Sequence, residues 1–289
     1  MSIEITTAFV NHYRANVIHL AQQKGSKLRN SVRVQTDVIG KSDHFDRIGV
    51  TAARKVNTRH RDSPLMNTPH SRRRVSMDPY DWGDLIDRED QQRLLISPAS
   101  EYAIAGANAL GRSIDDVIIA AALGLAYSVD ELDAATSVAL PASQIIANGG
   151  TGFTLAKWRL GKRTMDEANV EEEDRHLWGS PTALDNLLAT TAVTSADFNT
   201  VKALVDGTLN TFLGFQVHIS TRLPKTGNIR SAILMQRQGV GLSIGRDIEI
   251  RMQERADKAF ALYVFECMDV GATRIEEARV VQIDHDETA

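Results

Sequence analysis

Hydrophobic positions are spread unevenly along this chain. Between Arg54 and Arg74, RKVNTRHRDSPLMNTPHSRRR holds only Val56, Leu65 and Met66 as sizeable apolar side chains. So little apolar surface cannot offset the ordering entropy of the segment by folding on itself. The flanks VRVQTDVIG and HFDRIGV carry strand-like patterning, while Pro64 and Pro69 block ladder pairing near the tip. The pattern predicts an extended, two-stranded excursion over residues 32–76, ordered by lying on another copy of the same chain. Upstream, Phe9, Tyr13, Val17 and Leu20 recur at helical spacing, and Gly25 stands where a helix-ending glycine belongs. Residues 9–24 therefore read as a short amphipathic helix in an N-terminal arm.

A longer helical pattern follows. Ser97-Pro98 supplies a cap and a first-turn proline. From Ala99 to about Tyr127, one apolar face is kept by Tyr102, Ala105, Ala109, Ile114, Val117, Ile118, Ala121 and Leu125. This is one helix of about 40 Å, rich enough in alanine to approach a sheet closely. VDELDAATS reads as a loop and VALPA as a short strand. Thr154 caps a helix to about Ala168, closed by the solvated acidic run 171–174, and Ser180-Pro181 starts another over Thr182–Leu188. A further helix runs from Thr194 to Val205 and stops at Gly207. Strands then take over in FLGFQVHIS, RSAILMQ, VGLSI, IEIRMQE, KAFALYVFECMD and RVVQI, before a polar, solvated tail DHDETA. Helices and strands mix without regular alternation, so the fold class is α+β.

Composition narrows the function classes. A chain of 289 residues, 43% hydrophobic and 24% charged, has ample material for a core, so the apolar-poor excursion is a local choice. The net charge of −4 argues against a protein whose main task is gripping nucleic acid. No apolar run approaches the roughly 18–20 residues that cross a bilayer. The start, MSIEITTAF, lacks the basic and apolar regions of a secretory signal. Cys267 is the single cysteine, which excludes an internal disulfide framework and fits a reducing cytoplasm.

Candidate chemistry is sparse. Gly149-Gly150-Thr151-Gly152 precedes a helix as a phosphate loop would, but the Lys-Ser/Thr pair is missing and Lys157 lies too far into the helix. A turn or hinge is the better reading. Gly239, Gly241 and Gly245 sit in a strand-rich stretch and read as tight sheet packing. No HExxH or paired-cysteine motif occurs. The histidines, including His44, His60 and His70 in the excursion and His285 in the tail, show no metal-ligand spacing and read as surface groups. No catalytic, cofactor or metal residue is nominated. Charge is the one organised feature: Arg72, Arg73 and Arg74 are followed by Asp78, Asp81, Asp84 and Asp87. The basic cluster either contacts phosphates or pairs with the acids between Asp78 and Asp90 of the same or a neighbouring copy. It has neither aromatic interleaving nor a helical stripe, so pairing between copies is favoured.

Three ordered blocks resemble the major capsid proteins of tailed bacteriophages. They are TPHSRRRVSMDPYDWGDLIDREDQQRLLISPASEYAIAGANALGRSIDDVIIAAALG, TSADFNTVKALVDGTLNTFLGF and GVGLSIGRDIEIRMQERADKAFALYVFECMDVGATRIEEARVV. The resemblance implies the Hong Kong 97-type capsid fold. It implies an N-terminal arm at residues 1–30 and an extended E-loop at 31–80. A peripheral domain from 81–128 and 241–289 would be built on the long helix, and an axial domain would span 129–240. Many copies would form hexamers and pentamers of an icosahedral head enclosing double-stranded DNA, without sequence-specific binding. The chain begins directly with the arm, so a separate scaffolding protein is expected, together with a portal and a possible decoration protein. Lys41 and Lys55 match no cross-linking motif. Phe9, Val17 and Leu20 would supply apolar contacts between subunits, and the charged cluster their register. Two rivals stand beside this reading: an encapsulin-like compartment shell, and a DNA-binding architectural protein using Arg72–Arg74.

Overall fold

A computed structural model describes residues 21–59, 63, 65–87, 98–130, 134–189 and 211–288. The first half of the chain forms β1 (Arg33–Gln35), β2 (Ser42–Ile48), β3 (His70–Ser76), β4 (Asp78–Ile86), α1 (Pro98–Leu123), β5 (Ala126–Val129), β6 (Ala135–Val138) and β7 (Ile145–Ile146). There follow α2 (Leu155–Glu167), β8 (Arg175–Gly179), α3 (Pro181–Ala189), β9 (Thr211–Phe212), β10 (Phe215–Ile219) and β11 (Lys225–Thr226). The chain ends with β12 (Ile229–Gln236), β13 (Val240–Arg255), β14 (Ala261–Arg274) and β15 (Val280–Asp286). The mixture is the α+β class expected. Two compact units result, one from residues up to Lys41, Met77–Ala120 and Leu242–Ala272, the other from Ser42–Ser76, Ala121–Gly241 and from Thr273 onward.

The first unit is a four-stranded sheet in the order β1-β13-β14-β4, with α1 against it. Strand β4 runs antiparallel to β14, with Trp82 opposite Glu266 and Asp84 opposite Val264. Ile86, Ala103 and Val264 form the buried contact, with Trp82, Tyr102 and Leu262 around it. On another side of α1, Asp115 is fully buried and gathers the chain at 23–28: it accepts from Ser26 Oγ (2.5 Å), Leu28 N (3.0 Å) and Lys27 N (3.1 Å). A carboxylate satisfied by backbone N–H groups fixes the path of the strap as firmly as apolar contact does.

The second unit holds a seven-stranded sheet along β7-β15-β12-β8-β10-β9, with β11 beside β12, and a four-stranded sheet β2-β3-β5-β6. Trp158, Phe153, Phe212, Phe215, Leu234 and Ile283 sit in its main core. The caps read from the sequence are in place: Thr154 Oγ1 accepts from Lys157 N (3.4 Å) and Ser180 Oγ from Ala183 N (3.0 Å).

Several expectations are corrected. The long helix stops at Leu123, and Leu125, placed on its apolar face, is exposed. The buried guanidinium of Arg274 ends the helix by donating to the carbonyls of Ala122 (3.0 Å) and Gly124 (2.7 Å). VDELDAATS, expected as a loop, carries the end of β5 and most of β6, a hairpin whose turn is closed by Ala134 N donating to Asp130 Oδ1 at 2.8 Å, while VALPA, expected as a strand, joins β6 only at Val138. VGLSI and IEIRMQE are one strand, β13. The tail is not solvated at His285, which is fully buried as β15 continues along β12. Residues 21–24 are irregular, and the rest of the predicted N-terminal helix, Ser97 and the helix at 194–205 lie outside the described residues.

Candidate assembly surface

The charged cluster is organised by the period of the strand. Strands β2 and β3 pair with Asp46 opposite Arg72, Phe45 opposite Arg73 and His44 opposite Arg74. Successive side chains on a strand point to opposite faces. Arg72 lies outward, half exposed, with its Nε 2.6 Å from Asp46 Oδ1. Its hydrogen bond holds the Asp46 carboxyl below the usual carboxylate range. Arg73 turns inward: its side chain is 3% exposed and it donates to Glu277 of the same chain. Burial, more than any neighbouring charge, pulls the Arg73 guanidinium below its ordinary value. Arg47 (3.7 Å) and Arg274 (3.9 Å) approach the same Glu277 carboxylate. Arg74 faces Tyr127 of β5 in register and is half-buried. The three consecutive arginines thus have three different environments.

The acids lie along β4 and just beyond it. Asp78 and Asp81 are exposed, Asp84 is half-buried and accepts from Leu85 N (2.8 Å), and Asp87 is exposed after the strand. Phe9, Val17 and Leu20 lie outside the described residues.

Between β2 and β3 the described part of the chain has no regular structure, and its apolar side chains stand in solvent. Val50 is 98% and Leu65 100% exposed, with Val56 and Met66 also exposed. Ile39 and Ile48 continue the exposed apolar set toward the base of the hairpin. The base itself is a small core of Phe45, Val75 and Ile275, and Gly241 lies so close to the Phe45 ring that a Cβ there would stand 2.5 Å from it. Sequence reasoning foresaw the exposed tip but missed this anchored base. Phe45 and Val75, apolar residues within otherwise polar strands, are the available signal.

The glycine loop is a structural turn. Gly149 and Gly150 take φ of +56° and +67°. The Lys157 ammonium reaches back to donate to the carbonyls of Asn148 (2.6 Å), Thr151 (2.9 Å) and Gly152 (3.0 Å). The loop therefore turns carbonyls, not N–H groups, toward its cation, the opposite of a phosphate cradle. His285 meets Ser180 Oγ at 3.2 Å and packs edge-on to Phe153, so it supports the core.

A family model described as phage capsid protein matches residues 5–287. The chain belongs to this family. The capsid protein is similar to the capsid structure of cyanophage P-SCSP1u, at 20% identity and a TM-score of 0.74, over 94% of this chain and 91% of that one. It is similar to the capsid of Ralstonia phage GP4 at 12% identity and a TM-score of 0.75, over 99% and 98% of the two chains. The capsid of a native GTA particle matches at 11% identity and 0.70, over 95% and 94%. No curated protein sequence matches the capsid protein. Its fold is the Hong Kong 97-type capsid fold.

Proposed function

We propose that this capsid protein builds the icosahedral head of a tailed bacteriophage as hexamers and pentamers around double-stranded DNA. One observation carries the assembly step: a segment anchored at its base by Phe45, Val75 and Ile275 holds Val50, Val56, Leu65 and Met66 out in solvent. Burying such side chains contributes about 25 cal/mol per Å² of apolar area, and another copy of the chain is the partner a shell provides. Exposed ion pairs contribute only about 0–1 kcal/mol each, so Arg72, Arg74, Asp78, Asp81, Asp84 and Asp87 set register between copies more than they set affinity. Arg73 is buried against Glu277 in its own chain, and its burial removes it from that role.

In this reading the arm is 1–30, the E-loop 31–80, the peripheral domain 81–128 with 241–289, and the axial domain 129–240. The α1-bearing sheet unit supports the peripheral assignment. Scaffolding, portal and decoration proteins, and assembly in the host bacterial cytoplasm, belong to the same proposal. An encapsulin-like compartment is disfavoured by the family match, and a DNA-binding architectural role by the inward turn of Arg73 and the net charge of −4. The test is electron microscopy of the chain expressed with and without its scaffolding partner. Closed shells support the reading; subunits that remain monomeric under both conditions count against it.

A further inference from the structure

Helix α1 carries one buried carboxyl group, Asp115, and packs against another, Glu266, and the fold treats them oppositely. Asp115 has its charge met by Ser26 Oγ, by the backbone N–H groups of Lys27 and Leu28, and by Gln23 Nε2. Glu266 on β14 is 0% exposed, and neither of its carboxyl oxygens meets a donor among the described residues. Trp82 stands opposite it on β4. Helix α1 crosses directly above, so that a Cβ added to Gly106 would lie 2.7 Å from the Glu266 carboxyl carbon and 2.5 Å from the Trp82 ring. The glycine is what lets the helix descend onto this acid. An ionised carboxylate without donors in such a layer is strongly disfavoured, whereas the neutral acid is tolerated.

Among the described residues, no charge on the surrounding elements offsets this. On β4 the same face carries Tyr80 and Asp84 on either side of Trp82. On β13, Asp247 is taken by Arg29 (2.7 Å), Arg246 lies 3.7 Å from Asp269 and Arg251 2.8 Å from Glu249. The charged side chains of α1 in this unit are Glu101, Arg112, Asp115 and Asp116. Burial alone pushes the Glu266 carboxyl up, to about 7.

We propose that Glu266 is a proton-operated latch between helix α1 and the β4–β14 strands: the helix lies flush on the sheet while the acid keeps its proton, and release of that proton to solvent favours separation. The sign follows from linkage. Once α1 lifts, Glu266 returns to an ordinary carboxylate value near 4.5, so opening is promoted as pH rises from about 4.5 to 7 and levels off above.

Hydrogen exchange of α1 peptides in the full-length protein, corrected for the intrinsic pH dependence of exchange, tests this. Opening in the wild type should increase by up to about tenfold per pH unit across that window. In Glu266→Gln, which cannot ionise, the dependence should vanish; equal slopes in the two proteins overturn the latch. Should the glutamine variant fail to fold, infrared spectroscopy of the unmodified protein decides instead. An un-ionised carboxylic-acid band at pH 6 that fades by pH 8.5 supports the latch, and absence of the band at pH 6 overturns it.

Discussion

Gly111 of helix α1 and Gly25 of the N-terminal strap meet backbone to backbone: a Cβ on Gly111 would stand 2.6 Å from both the Cα and the carbonyl carbon of Gly25. Gly25 holds φ at +63°, and its N–H donates to Asn108 Oδ1 at 3.0 Å, one turn before Gly111. A few residues on, Asp115 takes the N–H groups of Lys27 and Leu28. The crossing is therefore a close approach of two main chains locked by two side chains of one helix.

Gly111→Ala should destabilise the subunit by about 1–3 kcal/mol, since backbone on the facing side yields less readily than a flexible side chain. The same helix supplies a control. Ala121 is buried, so Ala121→Leu should overpack at a similar cost, whereas Ala109 is only half-buried and Ala109→Leu should be milder. Chemical denaturation of unassembled subunits measures all three. Equal tolerance of Gly111→Ala and Ala109→Leu would contradict the crossing.

The arginine cluster should divide on mutation. Arg73→Glu places a second carboxylate beside Glu277 in a buried setting, and breaking such a pair costs about 3–5 kcal/mol, so the variant should fold poorly. Arg72→Glu with Arg74→Glu should leave the fold largely intact and weaken assembly. Assembly of the wild type should also fall with salt, because exposed pairs are screened over about 8–10 Å near physiological ionic strength. Normal shells from the double variant, with DNA retention alone lost, would assign these two arginines to nucleic acid instead.

Residues 49–59 and 65–69 should exchange amide hydrogens quickly in the free subunit and slowly in shells. Strands β2 and β3 should be protected in both states, because their ladder and the Phe45–Val75–Ile275 contact belong to the single chain. Mass-spectrometric exchange on the two forms checks this, and a protected tip in the free subunit would remove the need for a neighbouring copy.

His176 gives a pH dependence of opposite sign to Glu266. Its Nδ1 lies 3.1 Å from His218 Nε2, and burial first, then the neighbouring imidazole, pushes His176 down to about 4. Between about pH 4 and 6.5 the unfolded chain binds a proton that the folded chain refuses. This contribution to stability therefore grows as pH rises through that interval and is lost as pH falls through it. Comparing denaturation midpoints of wild type and His176→Gln at several pH values isolates it. The difference between the proteins should change across the interval and stay constant above about pH 7.

What the sequence determined by itself is what depends on neighbouring residues. The cap of α2 at Thr154, the cap of α3 at Ser180 and the apolar run that makes α1 rest on contacts within a turn or two. The lack of regular structure in the described residues between β2 and β3 rests on a local shortage of apolar side chains, and three ordered blocks carried the resemblance to capsid proteins. Only tertiary structure decided which of Arg72, Arg73 and Arg74 turns inward, because that depends on the register of β2 against β3 and on Glu277, some two hundred residues away. The end of α1 was set by Arg274, the burial of His285 by pairing with β12, and the isolation of Glu266 by Gly106 and Trp82. A polar side chain has the same local sequence signature whether it faces water or a partner brought in from a distant strand. Its environment is fixed by long-range register and by burial, which no local pattern encodes.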